Sequence, residues 1–453
     1  MENTEKITQV GLKNVFVNFI RSESFGGIFL FISAVLAMIV ANSPLGEYYF
    51  NFWRTDFGFY FGEYFIGFSI HHWINDVLMA LFFLMVGLEI KREVLFGELS
   101  GFKKAAFPAI AALGGMVVPG LIYYALNAGT SSYHGFGIPM ATDIAFALGV
   151  IMLLGKKVPM PLKVFLVTLA VADDLGAIVV IAVFYTTSLN LLWLIGGGVI
   201  VALLIFLNKI GVKNLLPYLI LGVLLWFAIH NSGIHATIAA VILAFTIPIR
   251  PKTPRKNFTQ FLKNLAEQFQ VKVPKNAHMD SPLNTYEIAP LSEEQIEVLE
   301  SIQDRVKSIR SPLGRLEHFL QPYSAYFIMP LFAFANAGVN IGSEIHFNID
   351  HIVLGVILGL VLGKPVGIFA ITFLCEKLGI ASRPEGVTWG HIMGAGMLAG
   401  IGFTMSMFVS NLAFSHPESM EVSKISILIG SLISGVIGVL YLNVIYKFKP
   451  KQN

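Results

Sequence analysis

The sequence predicts an all-α polytopic membrane protein of about twelve helical spans, with inverted-topology repeats and two broken helices. Three observations lead there. Of 453 residues, 55% are hydrophobic and only 13% charged, about half the charged share of a soluble domain, and the mean hydropathy is +0.71. Apolar stretches long enough to cross about 30 Å of hydrocarbon recur along most of the chain. Two of them, the fourth and the eleventh, are interrupted by glycine or proline at corresponding places in two flanking trios of spans, three to five and ten to twelve. Helices follow from segment length, since barrel strands need about half as many residues and alternate in polarity.

In order, the spans read 26–43, 73–90, 105–127, 138–153, 159–185, 190–208, 216–230, 233–249, 321–341, 351–375, 389–413 and 425–446. The first follows a polar leader carrying Lys6, Lys13 and Arg21 and is expected to be a retained span rather than a signal peptide. With the amino terminus inside, the cytoplasmic connections receive Lys91, Arg92, Lys103, Lys104, Lys156, Lys157, Lys209, Lys213, Lys377 and Arg383. The tail adds Lys447, Lys449 and Lys451, and the outer connections hold only Arg54 and Lys424. This positive-inside pattern places both termini in the cytoplasm.

The organisation is then membrane helices one to eight over 1–249, a polar cytoplasmic insert over 250–320, and helices nine to twelve with the tail over 321–453. The insert opens on Pro251 and Pro254. Ser292 and Gln295 have capping-box spacing, and Ile296, Leu299, Ile302, Val306 and Ile309 follow at helical intervals, so an amphipathic helix is expected inside it. A net charge of +3 without a long basic tail or an aromatic-basic patch gives no nucleic-acid partner. Cys375 is the single cysteine, which excludes an intrachain disulfide or a thiolate metal site.

A charged side chain inside a span is costly, so it faces a polar cavity or a partner. Five ionisable residues sit in that position: Asp143, Asp173, Asp174, His235 and Lys364. Asp173 and Asp174 are adjacent on one helix and point about 100° apart, so one can face a cavity while the other meets a partner. A buried carboxylate holds a proton or a metal cation but not both well, which is the minimal machinery for exchanging one against the other. Asp143 follows Gly135, Gly137 and Pro139, which break a helix and leave backbone groups free to line a cavity, with the Thr142 hydroxyl beside it. Asp143 joins a cation site or neutralises helix amides, and the two readings are compatible. The second interruption is Gly394-Ala-Gly-Met-Leu-Ala-Gly-Ile-Gly-Phe-Thr-Met-Ser. Lys364, loosened by Pro365, needs an anion and is either a fixed counter-charge or a second proton carrier. Glu89, Lys91, Arg92 and Glu93 read as a solvated cap and topology anchor at the end of the second span, and Asp76 as a cap at its start. His235 reads as a hydrogen-bonded packing residue.

From the second span to the eleventh, Val86-Gly-Leu-Glu-Ile-Lys-Arg-Glu, Ala141-Thr-Asp-Ile-Ala-Phe, Ala172-Asp-Asp-Leu-Gly-Ala-Ile, Gly233-Ile-His-Ala-Thr, Leu331-Phe-Ala-Phe-Ala-Asn-Ala-Gly, Gly363-Lys-Pro-Val-Gly and Gly402-Phe-Thr-Met-Ser occur in that order. Together they resemble the NhaA-type sodium/proton antiporters of bacterial inner membranes, a family whose inverted repeats are themselves a known property. The resemblance implies a transporter and not an enzyme, multi-pass in the inner (cell) membrane. It implies electrogenic, pH-regulated exchange of internal sodium or lithium for external protons, serving sodium and pH homeostasis. It needs no cofactor, the ions being cargo. It implies Asp174 as principal ligand of the transported sodium, joined by Asp173, with Asp173 also the partner of Lys364, and Thr142 and Asp143 at a helix break that crosses its counterpart. Glu89, Arg92, Glu93, Glu317 and His318 match a cytoplasmic pH-response cluster, and His235 a position tied to pH dependence. A homodimer in the lipid bilayer is implied, with contacts from the segment between spans one and two. The insert departs from the short connection expected of the family. Two rival classes fit less well. An intramembrane aspartyl protease has no use for a buried Lys364, and a sodium-coupled solute symporter needs more polar groups than the spans offer.

Overall fold

The computed structural model describes residues 23–61, 64–186, 189–251, 309–340 and 350–447, with positions 261, 296–297 and 299–301 of the insert besides. The polar leader and most of the insert, including most of its expected amphipathic helix, lie outside the described residues. Among the described residues, six helices are long and apolar enough to cross a membrane, or up to nine if each bent pair counts as one span.

Helix α1 (Glu23–Ala41) turns through 111° into the short α2 (Gly46–Arg54). Helix α2 is amphipathic: Tyr49 and Trp53 pack edge-on to Phe334 while Tyr48 and Phe52 stay exposed. Next comes a departure from the all-α expectation. Strands β1 (Asp56–Phe61) and β2 (Tyr64–Ser69) pair antiparallel, Asp56 opposite Ser69 and Phe61 opposite Tyr64. Aromatic-rich runs such as Asp56-Phe-Gly-Phe-Tyr-Phe favour a pleated surface, and this segment is too short to form a span.

Helix α3 (Ile70–Phe96) starts under Ser69, whose hydroxyl accepts from His72 N, and contains a π-helical turn at Trp73–Leu78. Then follow α4 (Phe102–Asn127), a 3₁₀ stretch Ser131–Met140, α5 (Ile144–Leu153), α6 (Met160–Phe184), α7 (Leu191–Ile210), α8 (Leu216–Asn231) and the short α9 (Thr237–Thr246). Helix α10 is continuous from Pro312–Tyr323 through a π turn at Ser324–Ile328 to Met329–Asn336. Helix α11 (His351–Lys377) carries a third π turn, Gly359–Gly363. The last elements are α12 (Trp389–Ala399), α13 (Phe403–Ala413) and α14 (Pro417–Lys447).

The expected outer loop around Lys424 is instead the first part of α14, which begins at Pro417, and Lys424 is buried there one turn after Glu421. Helix α11 lies against α4 with backbones touching. A Cβ at Gly114 would sit 2.3 Å from the Gly367 carbonyl oxygen, and one at Gly367 would sit 2.2 Å from that of Gly114. Small residues permit this approach, the usual way helices associate without a hydrophobic driving force. The contact seats α11 at the depth where Lys364 meets the broken helices.

Candidate ion-binding site

The two broken pairs meet at their breaks. The 3₁₀ stretch Ser131–Met140 and α5 are bent by 43° across 141–143, and α12 and α13 by 49° across 400–402. Each break frees backbone groups that must find partners away from water. Asp143 N donates to Ile401 O at 2.8 Å, and Ser406 Oγ donates to Ile138 O at 2.7 Å, so each chain closes the other's break. Ser434 Oγ reaches Met397 O at 2.7 Å, and Phe403 N donates to Ser431 Oγ at 3.1 Å.

Asp143 serves both new helix starts at once. Oδ1 accepts from Phe146 N at 2.9 Å, capping α5, while Oδ2 accepts from Thr404 N at 3.1 Å and from the Thr404 hydroxyl, in the first turn of α13. Negative charge belongs at such termini, where unpaired amides and the helix dipole converge. These contacts neutralise helix amides, a role compatible with a place in the cation site. Thr404 was not singled out from sequence, although it lies in the quoted Gly402-Phe-Thr-Met-Ser. Its only local signal is a hydroxyl just after a glycine-rich break, which does not set it apart from other hydroxyls in the spans.

Helix α6 brings Asp173 and Asp174 to this crossing, both 1% exposed. Asp173 Oδ2 forms an ion pair with Lys364 Nζ. Thr142 Oγ1 lies 2.6 Å from the same oxygen, 2.9 Å from Ala399 O and 2.5 Å from Lys364 Nζ. With one hydrogen, the hydroxyl serves Asp173 or Ala399 but not both, while it accepts from the ammonium. Lys364 follows the π turn Gly359–Gly363, and Pro365 lacks the N–H that would hold a regular helix there.

Asp174 differs from its neighbour. Both of its oxygens, and Oδ1 of Asp173, are shielded from solvent with no hydrogen-bond partner among the described residues. The charges acting on Asp174 are those of Asp173, Glu89, Asp143 and Lys364. Buried polar atoms of native proteins nearly always find partners, and an exception calls for an ion, a proton or water. Shielded carboxylate oxygens without partners are the kind of donor a hard cation takes.

The residues assigned to a pH response divide into two places. Arg92 joins Glu317, Nε to Oε1 at 2.8 Å, and Glu93, Nη1 to Oε1 at 2.9 Å. Glu89 is one turn earlier on α3. The exposed His318 lines a cavity of about 890 Å³ with Arg92, Arg310 and Ser311. Lys91 corrects the solvated-cap reading: it is buried and donates to Phe245 O at 2.7 Å and Ile247 O at 2.6 Å, closing the end of α9. His235 stands before the opposite end of α9, Nδ1 against Thr237 Oγ1 at 2.8 Å, with its ring edge-on to Phe408. Asp76 is likewise no cap, because Ser69 holds that role. Asp76 faces His72, His230 and His235 instead. Cys375 is buried in the last turn of α11.

The family model described as Na+/H+ antiporter 1 matches residues 17–442. The chain belongs to this family. A protein named Na(+)/H(+) antiporter NhaA from Helicobacter pylori strain G27 is 63% identical over 449 residues, 99% of this chain and 98% of the relative. A protein of the same name from Wolinella succinogenes is 61% identical over 442 residues, 98% of this chain and 96% of its own length. Na(+)/H(+) antiporter NhaA 2 of Helicobacter hepaticus is 61% identical over 96% of each chain. The matched lengths run nearly end to end on both sides. A connection shorter by the whole polar insert does not fit these relatives, so they share a segment of that length.

Proposed function

We propose that this protein is a secondary antiporter that exchanges internal sodium or lithium for external protons across a bacterial inner membrane, electrogenically and under pH control. The observation that carries the reading is Asp174, a fully buried carboxylate whose two oxygens have no partner among the described residues, beside a second carboxylate held by Lys364. Such a group must hold a cation or a proton to stay buried, and exclusive occupancy couples the two fluxes. In the inward-open state sodium displaces the protons, with Asp174 as principal ligand and Oδ1 of Asp173 beside it. In the outward-open state protons return. If Asp173 and Asp174 both discharge protons for each sodium bound, more charge enters than leaves and exchange is electrogenic. Lys364 either stays charged throughout or supplies the second proton in place of Asp173. Asp143 and Thr142 hold the crossing at which the site is built.

The reading extends to twelve spans with both termini cytoplasmic, the Arg92–Glu93–Glu317 group sensing internal pH, and a homodimer paired through the hairpin, where Phe57 and Tyr60 are exposed. The names of the relatives support the substrate pair. The test is flux. Proteoliposomes holding an acidic interior are expected to lose their proton gradient on adding sodium or lithium, with potassium as the comparison, and at a rate that changes with an imposed potential. No response to sodium or lithium at neutral or alkaline pH removes the proposal. Lys364→Gln separates the two roles of the lysine. Exchange that becomes independent of potential marks it as a proton carrier, and exchange that stays electrogenic marks it as a counter-charge.

A further inference from the structure

Asp76 lies at the hairpin end of α3, the opposite end from Arg92, and three histidines converge on it. His72 Nε2 is 3.0 Å from Asp76 Oδ2, and His230 Nδ1, from the last turn of α8, is 3.8 Å from the same oxygen. Among the described residues, His72, Asp76 and His230 form a group whose potential ligand atoms all lie within 4.8 Å of one another. The His72–Asp76 contact is an i,i+4 ion pair on α3, and His230 reaches the same oxygen from another helix. We propose that His72, Asp76 and His230 form a binding site for a divalent transition-metal ion of the zinc class.

The distances suit such an ion. Tetrahedral zinc with bonds of about 2.0–2.1 Å holds its ligand atoms about 3.4 Å apart, and the two contacts to Asp76 bracket that spacing. Two imidazoles and one carboxylate are donors for zinc or its neighbours. Magnesium and calcium take oxygen sets instead. A fourth position is left for water. The surroundings fix the rings. Trp226 stacks on His230 with centroids 5.3 Å apart, and Phe68 of β2 lies 4.5 Å from the His72 ring. His235 flanks the carboxylate from outside: its Nε2 is 3.7 Å from Asp76 Oδ1, while its Nδ1 is committed to Thr237. Outer partners of this kind set ligand direction and affinity. The His72 side chain is 38% exposed, while its Nε2 is turned away from solvent toward Asp76. This site shares no residue with the Asp173–Asp174 crossing. It ties β2, α3 and α8 together.

The experiment needs no transport readout. The full chain, in detergent, with any affinity tag removed and chelator-treated, is titrated with zinc against a chromophoric competitor. One zinc per chain is expected, resistant to excess magnesium, with His235→Gln weakening binding by about 10- to 100-fold and His72→Gln/His230→Gln abolishing it. X-ray absorption at the zinc edge of the unmodified protein is expected to show two imidazole nitrogens, a measurement independent of whether the variants fold. No zinc bound by the unmodified chain, unchanged binding in the folded double variant, or fewer than two imidazoles at the edge overturns the proposal.

Discussion

Asp143 and Asp174 are both buried carboxylates at one crossing, yet their surroundings are opposite. Asp143 has two helix starts and a hydroxyl distributed over its two oxygens, whereas Asp174 has no hydrogen-bond partner among the described residues. Burial is equally expensive for either, so burial alone does not say which carboxylate works and which builds. On the proposed antiport reading, the hydrogen-bond partners do. A saturated carboxylate is part of the scaffold, because moving a proton or cation onto it means breaking bonds that hold two helices. An unsaturated one is stable only with a guest, and a guest that can leave is cargo.

The sharpest way to break this comparison is Asp174→Asn. Sodium-evoked collapse of a proton gradient is expected to fall below detection, at least 100-fold, or about 2.7 kcal/mol. The thermal midpoint should hold or rise, since no partner is lost. Retained exchange would take Asp174 out of its role. Lys364→Ala leaves Asp173 buried without its counter-charge, and a loss of about 3–5 kcal/mol in stability is expected, visible as a large drop in the detergent melting temperature. Rescue of that midpoint by Asp173→Asn in the same chain would sharpen the assignment, and failure of rescue would argue against the pair. Asp143→Ala uncaps two helix starts at about 1–2 kcal/mol each, so stability should fall while any residual exchange keeps its ion preference. A changed preference for sodium over lithium would instead make Asp143 a ligand. The smallest effect belongs to the other end of α3. The Arg92–Glu317 contact is partly exposed, and Glu317→Gln should cost less than about 1 kcal/mol of stability. Its expected signature is a displaced pH profile of exchange, and an unmoved profile would exclude Glu317 from sensing.

Much of this site was legible in the chain. Gly135, Gly137 and Pro139, and the glycines from Gly394 to Gly402, announced broken helices because their backbone effects are local. Asp173, Asp174 and Lys364 stood out because charge inside an apolar run needs no structure to be recognised as costly. Other features were not legible. Thr404 looks like any hydroxyl in a span until Asp143 arrives from 261 positions away. Lys91 read as a surface anchor because its acceptors, Phe245 O and Ile247 O, are backbone atoms on another helix. Asp76 read as a cap because the histidines around it are scattered over His72, His230 and His235. The β-hairpin was missed because membrane periodicity reports spans and says little about the segments between them.

The sequence by itself determined the class, the places where helices cross or break, and the acidic residues that are expensive to keep, since each follows from composition or local backbone chemistry. Only the tertiary structure decided which of those acids is satisfied. That depends on hydrogen-bond partners tens to hundreds of residues away, and a partner's direction and distance exist only once α5, α6, α11 and α13 have packed together.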